Sequence, residues 1–297
     1  MAPRLYKTYS LPVQRNGEWA VHTVGFSSSP SWLSSIDDWY MTANTSDLAV
    51  IETSHGINNK ALYKKLTPDS VLCWIRTIVA NTLATDGASW AETFSYNHSG
   101  TYNNEWQVID LNKFTVGKQP TKDDGLLTIL EEIPGQIHWE DMTDTLGKEG
   151  FWPSFNVPYF SDIQRAAGYT PSDWTDDDRH CLFTQLQESV VDMDTMERVM
   201  RHNDFKHDKC SHHNACTGAI ACRADLGVVG KQMFGALDAK WSSYTHGYKT
   251  LKTQANAGPT HDTQPVFCWS PASKDPHYGH PTCFNFTTTE MVPHQFA

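Results

Sequence analysis

Thiols and imidazoles crowd one stretch of this chain: His180, Cys181, His202, His207, Cys210, His212, His213 and Cys216. Two chemistries use such groups. An imidazole beside a thiol can take its proton and release a thiolate to attack a carbonyl. That makes His180 with Cys181 a candidate nucleophilic pair. Neighbours on a strand point to opposite faces, so adjacency argues poorly for it. The other chemistry is metal binding. Zinc sites pair ligands at roughly two- to four-residue spacing from at least two places. This run has no Cys-x-x-Cys, so the preferred reading is an exposed His-rich loop, partly charged at acidic pH. No metal and no cofactor are expected. Cys73 falls on the apolar side of a helical pattern and reads as a buried core thiol. Seven cysteines leave one unpaired if the rest bridge. Cys268 with Cys283 could form one bridge, although no spacing rule supports it.

Around these residues lie enough chain and enough apolar material to position them. At 297 residues the chain is one large domain or two small ones, long enough to bury a sizeable core. We take residues 1–297 as a single domain. Eleven Trp, eleven Tyr and thirteen Phe give the aromatic load of a large globular protein. The net charge of -11, with no basic run, argues against a nucleic-acid partner. No apolar stretch reaches membrane-span length. The first ten residues contain no signal-peptide segment, which taken literally predicts a cytosolic product. Three acceptor triplets, at Asn44, Asn97 and Asn285, point instead to the secretory route.

Runs 19–26, 47–53, 106–111 and 126–133 carry β-branched and aromatic residues with partial alternation, and read as strands. A helix is expected from Thr67 as N-cap with Pro68 at its first position. Its stripe is Val71, Leu72, Trp74, Ile75, Ile78, Val79 and Leu83, and Asp86-Gly87 ends it. A second helix is expected to open at Ser189, with Asp192 completing an acidic capping box and Met193, Met196, Val199 and Met200 as its buried stripe. Polar loops fall at 27–35, 118–124 and 170–178, and there are no repeats. Strands mixed with long helices mean an α+β chain, a layered αββα sandwich among the options.

Larger blocks narrow the choice. Val190-Val-Asp-Met-Asp-Thr-Met-Glu-Arg-Val-Met-Arg-His-Asn-Asp-Phe205 is followed by Ala219-Ile-Ala-Cys-Arg-Ala-Asp-Leu226 and Asn256-Ala-Gly-Pro-Thr260. Upstream stand Asp86-Gly-Ala-Ser-Trp90, Ser99-Gly-Thr-Tyr-Asn-Asn-Glu-Trp106, Leu130-Glu-Glu-Ile-Pro-Gly135 and Phe155-Asn-Val-Pro-Tyr-Phe160. In this order the blocks resemble the phospholipase B-like, or laminin-ancestor, family of N-terminal-nucleophile hydrolases, along nearly the whole chain. The resemblance implies an αββα sandwich, incomplete at its N-terminus. It implies hydrolysis of acyl ester or amide bonds in a lipid or lipid-like substrate, and a lysosomal or extracellular glycoprotein. In the family, an autocatalytic cut exposes a cysteine whose thiol attacks the acyl carbonyl, and the free α-amino group is the base. That cysteine is expected upstream of residue 1, on an upstream segment or a partner chain.

The same resemblance assigns residues. Asn156 sits at the family's active-site Asn, a neutral, directional donor suited to an oxyanion; its plain reading is a turn residue before Val-Pro. Arg179 matches the active-site Arg, able to hold an acyl or phosphate oxygen, with pairing to Asp176, Asp177 or Asp178 as the plain reading. Thr53 and Ser54 end a strand where the family carries two hydroxyls, so they are expected at the substrate, with strand-end capping as the competing reading. Cys210 and Cys216 correspond to a tight family cysteine pair and are expected to form a local disulfide. The rival to catalysis is a non-catalytic relative that keeps the fold as a binding or structural protein, a reading the missing cysteine supports.

Overall fold

The longest run of complementary edges in this chain is an antiparallel ladder of seven strands in simple sequence order. The structure, a computed structural model, describes residues 5–293 except 16, 36, 228–234, 237, 272 and 274. Its residues group into two compact units. The larger holds the described residues up to Trp174 together with Gly247–Leu251. The smaller holds Thr175–His246 and Lys252–Met291.

In the larger unit the strands are β1 (Leu5–Arg15), β2 (Glu18–Ser28), β3 (Trp39–Ala43), β4 (Leu48–Ser54), β5 (Asn104–Asp110), β6 (Leu127–Ile133) and β7 (Gln136–Asp141). Every neighbouring pair is antiparallel. Helices α1 (Cys73–Leu83) and α2 (Gly87–Ser95) are inserted between β4 and β5. Helices α3 (Thr143–Glu149) and α4 (Ser161–Ala167) follow β7. Alternation sends side chains to two faces. One face sets Val50, Trp106, Val108 and Leu130 against Ala80, Trp90, Ala91 and Phe94 of α1 and α2. The other sets Leu127, Ile129 and Ile133 against Met142, Phe160, Ile163 and Ala167. Strand β6 is therefore buried at all seven positions, which explains why its sequence hardly alternates. Pro134 and Gly135 turn β6 into β7. Gly135 has φ +78°, and a Cβ there would lie 2.4 Å from Lys65 Cδ, so the second turn position needs glycine.

The smaller unit carries α6 (Asp178–Leu186), α7 (Met193–Met200), the short α8 (Tyr244–Gly247) and a three-stranded sheet of β8 (Asp238–Trp241), β9 (Thr253–Ala257) and β10 (Thr289–Met291). A one-turn helix, α5 (Pro171–Thr175), lies at the junction in sequence, inside the stretch expected to be loop.

The fold is α+β, and all four expected strands of the large sheet are present. Both helix starts move. Helix α1 begins at Cys73, not at Thr67 and Pro68. Val71 bridges His98, and its N–H donates to Asn97 O at 2.8 Å, which holds the residues before the helix extended. Thr67 instead caps a local turn, accepting from Asp69 N at 3.2 Å. Helix α7 begins at Met193, not Ser189. Asp192 is itself the N-cap, and Thr195 closes the capping box. Cys181 lies on helix α6 rather than on a strand.

The expected Cys210 with Cys216 bridge is corrected. Cys210 joins Cys181, and Cys216 joins Cys222, six residues on. Helix α6 delivers Cys181 to within 5.7 Å, Cα to Cα, of Cys210, while the turns at 214–218 bring Cys216 to 3.9 Å from Cys222. Cys268 pairs with Cys283, and Cys73 remains a buried thiol.

Candidate active site

Strand β4 ends at Ser54, and a segment 102 residues later returns to it. Asn156 Nδ2 donates to Ser54 O at 2.5 Å. Asn156 is exposed and has φ +71°, a left-handed conformation that Asn adopts more readily than most residues. It stands in the 151–160 stretch between α3 and α4, which has almost no regular hydrogen bonding of its own. Side chains of the sheet hold that stretch instead. Glu131 accepts from the N–H of Tyr159 at 2.5 Å and of Phe160 at 3.0 Å. Trp152 Nε1 donates to Glu105 Oε1 at 2.9 Å. Gln164 of α4 donates to Pro158 O at 2.8 Å. The structure thus brings the Asn156 side chain to the backbone of Ser54, next in sequence to Thr53.

Beside Ser54, His55 is buried and bonds through Nε2 to Glu132 O at 3.0 Å. Burial lowers its pKa to about 4, so the ring is neutral at physiological pH. Glu132 in turn pairs with Arg76 of α1 at 2.7 Å, both side chains almost fully buried. On the helix-packed face, Ser54 Oγ donates to Glu52 Oε2 at 3.3 Å. Tyr102 OH lies 3.0 Å from Asp38 Oδ2 and 3.1 Å from Glu52 Oε1. Burial first, and the Asp38 charge second, push Glu52 up to about 8. A single phenolic proton can serve only one of the two carboxyls, which suits Glu52 holding its own.

Arg179 lies in the smaller unit, near the start of α6. Its Nε and Nη2 donate to the two oxygens of Asp177 at 3.1 and 3.2 Å, while Asp177 caps the helix through Arg179 N at 2.8 Å. This is the Asp pairing that the sequence offered as the plain reading. The imidazoles of the His-rich stretch take acidic partners: His202 with Asp208, His207 with Asp204 and His212 with Asp178. Among the described residues, no group of three or more His, Cys, Asp or Glu side chains is placed to hold a metal ion. No helix among them is long and apolar enough to cross a membrane. Asn44, Asn97 and Asn285 are all exposed.

Sequence reasoning missed the buried acids Glu105, Glu131 and Glu132. Their signal was present: two adjacent glutamates in Leu130-Glu-Glu-Ile133 interrupt a run otherwise apolar enough for a central strand. Charged residues in such a strand need partners, and partners imply a built polar site.

The family model for phospholipase B matches residues 1–291. The chain is 37% identical over 297 residues to "Phospholipase B-like protein B" of Dictyostelium discoideum, covering 95% of this chain and 51% of that protein. It is 37% identical over 320 residues to "Putative phospholipase B-like 2" of Homo sapiens, covering 97% and 54%. To "Phospholipase B" of Crotalus adamanteus it is 34% identical over 276 residues, covering 90% and 49%. The chain spans about half the length of the curated relatives it matches.

Proposed function

The chain belongs to the phospholipase B family, and from that premise we propose that it supplies the oxyanion-binding side of a hydrolase for acyl ester or amide bonds in lipids. The nucleophile in this reading is an N-terminal cysteine that is none of the seven in this sequence. Six of those are in disulfides, and Cys73 is buried in the core, with its thiol held far on the protonated side chiefly by burial. The attacking thiol is delivered on a segment or partner chain outside these residues, and its α-amino group takes the proton.

The observation that carries the reading is the bond from Asn156 to Ser54 O. It anchors the planar carboxamide of Asn156 at the end of β4. An amide held this way at an exposed position can donate to the oxygen that becomes negative when the thiol adds to the acyl carbon. A preorganised donor of that kind is worth roughly 3 kcal/mol of barrier. Thr53 and Ser54 border the acyl group. Arg179, in the smaller unit, is assigned to an acyl or phosphate oxygen of the substrate by its family position alone. The fold class that goes with this chemistry is the αββα sandwich, and the expected compartment is lysosomal or extracellular.

A second reading is a binding or structural relative without catalysis; the sequestration of all seven cysteines favours it. One assay separates the two. The 297-residue chain alone, given a short-chain phosphatidylcholine, is expected to release no fatty acid. With the nucleophile-bearing segment supplied, in cis or as a partner chain, it is expected to turn over. Asn156→Ala should then lower kcat by about 10²–10³. No turnover with that segment supplied sinks the catalytic reading. Turnover by the chain alone, abolished by Cys181→Ala, sinks the assignment of the nucleophile.

A further inference from the structure

Two carboxyl groups meet under the segment that presents Asn156. Thr53 of β4, Glu105 of β5, Glu131 of β6 and His138 of β7 are successive register partners, so their side chains form one row on one face of the sheet. Glu105 and Glu131 are almost entirely shielded from solvent, at 1% and 0% exposure. Their carboxyls touch, and Ser154 lies beside Glu105. Two adjacent buried carboxylates cannot both ionise without a large repulsive cost.

The hydrogen bonds say where a proton belongs. Both oxygens of Glu131 are taken by N–H donors, from Tyr159 and Phe160. Glu105 Oε1 accepts from Trp152 Nε1 and, at 3.1 Å, from Gln107 Nε2. Glu105 Oε2 meets no N–H donor, and the Ser154 hydroxyl is the other donor at this carboxyl. A carboxylate bonded to two N–H groups is best left ionised, while an oxygen without an N–H donor is best made into one. A proton on Glu105 Oε2, given to Glu131, satisfies every atom.

We propose that Glu105 and Glu131 share one proton and that the singly ionised pair is a clamp that sets Asn156, making both glutamates positioning residues for the hydrolase site. The clamp grips the chain on both sides of Asn156, at Trp152 and at Tyr159 with Phe160. This inference rests on the oxyanion role given to Asn156 above. Supporting it, burial is the first cause that raises the pKa of both groups, so that a proton stays with the pair. The other charged groups nearby do not cancel the effect. Asp162 of α4 adds to it. His138 is committed to Asp162 at 2.7 Å and to Glu140 at 2.8 Å. The shared proton is kept at acidic pH and lost as pH rises through the raised titration of the pair. Two adjacent carboxylates then repel each other, so the clamp loosens in base.

The test uses the 297-residue chain and two readouts. One is hydrogen exchange at the amides of Tyr159 and Phe160, corrected for the intrinsic pH dependence of exchange. The other is the side-chain amide resonance of Asn156, identified by its loss in Asn156→Ala. Bonds to a charged acceptor should protect each amide by about 10- to 100-fold while the pair holds a single proton, and the wild type should lose that protection toward alkaline pH. Glu105→Gln keeps the acceptor for Trp152 and puts a permanent donor toward Glu131, so protection should persist and become independent of pH. Glu131→Gln faces an N–H with an NH2 group, so protection should fall at every pH and the Asn156 resonance should move. Should Glu131→Gln fail to fold, Glu105→Gln decides alone. Protection in the wild type that ignores pH, or a Glu105→Gln profile identical to wild type, overturns the proposal. So does an unmoved Asn156 resonance in folded Glu131→Gln. With the nucleophile supplied, Glu131→Gln should lower kcat at least tenfold with KM little changed, and an unchanged kcat also overturns the positioning role. Full activity of Asn156→Ala would instead remove the oxyanion assignment while leaving the exchange data of the clamp as they stand.

Discussion

Replacing Arg76 by Met should destabilise the larger unit by an amount that depends on pH in a particular way. Arg76 is 3% exposed. Its Nε donates to Val71 O at 3.1 Å, Nη1 to Phe94 O at 2.7 Å and Nη2 to Glu132 Oε2 at 2.7 Å. Its guanidinium also lies 4.1 Å from the centre of the Phe94 ring. Methionine keeps much of the volume and loses every donor. Burial, opposed by Arg76, leaves Glu132 with a pKa raised from 4.5 to about 7. Below that value Glu132 is neutral in both folded proteins, and the penalty is that of lost hydrogen bonds, about 1 kcal/mol each or roughly 3 kcal/mol in all. Without Arg76 the folded pKa of Glu132 rises further. Because that pKa lies above the unfolded value, stability is present at low pH and lost as pH rises. Between the unfolded value and about 7, wild type and variant lose stability at the same rate, so the penalty is constant. Above about 7 the wild type has already ionised and the variant has not, so the penalty grows by about 1.4 kcal/mol per pH unit. It levels off toward the roughly 3–5 kcal/mol of a broken buried pair, or somewhat beyond. The assay is urea unfolding at a series of pH values, followed by tryptophan emission, to which Trp90 and Trp106 of the core cluster with Phe94 contribute. The double variant Arg76→Met with Glu132→Met should recover stability and lose the alkaline dependence. A penalty that stays flat from pH 6 to pH 9 would refute the reasoning.

Three further outcomes follow from the same structure. Removing the Cys181 with Cys210 bridge, which spans 29 residues, should cost the smaller unit about 3.6 kcal/mol, against about 2.2 kcal/mol for the Cys216 with Cys222 bridge, which spans six; paired Cys→Ser variants compared in urea give the order, and equal costs would contradict it. Asp86→Ala and Asp192→Ala each remove a capping box and should each cost about 1 kcal/mol, read as a shift in urea midpoint with unchanged slope. Expressed through a secretory pathway, the chain should carry N-linked sugar at the exposed Asn44, Asn97 and Asn285, seen as a mobility shift that glycosidase removes and that Asn→Gln at each site diminishes stepwise.

How far the sequence could be read depended on whether local or distant forces decide each feature. The strands were legible because β-branched runs at 47–53 and 126–133 find their ladders in sequence order, with nothing crossing between them. The start of α1 was not, because a contact 27 residues away decides it: the bridge from Val71 to His98 holds extended a stretch whose apolar spacing is helical. The pairing of Cys210 failed for the same reason. Short spacing favoured Cys216, whereas a helix beginning at Asp178 brings Cys181 alongside. Asn156 and Ser54 were legible as types, but that one bonds the other is a tertiary fact. The acids under them were the hardest, since Glu105 and Glu131 read locally as interruptions of good strands. Only the register shows that they are opposite each other, and only the hydrogen bonds show that one of their four oxygens lacks an N–H donor. Isolated, such a pair would weaken the sheet. Its persistence in the centre of a buried strand makes sense if what it holds, the 151–160 stretch with Asn156 at its middle, must be placed to within the tolerance of a hydrogen bond rather than merely covered.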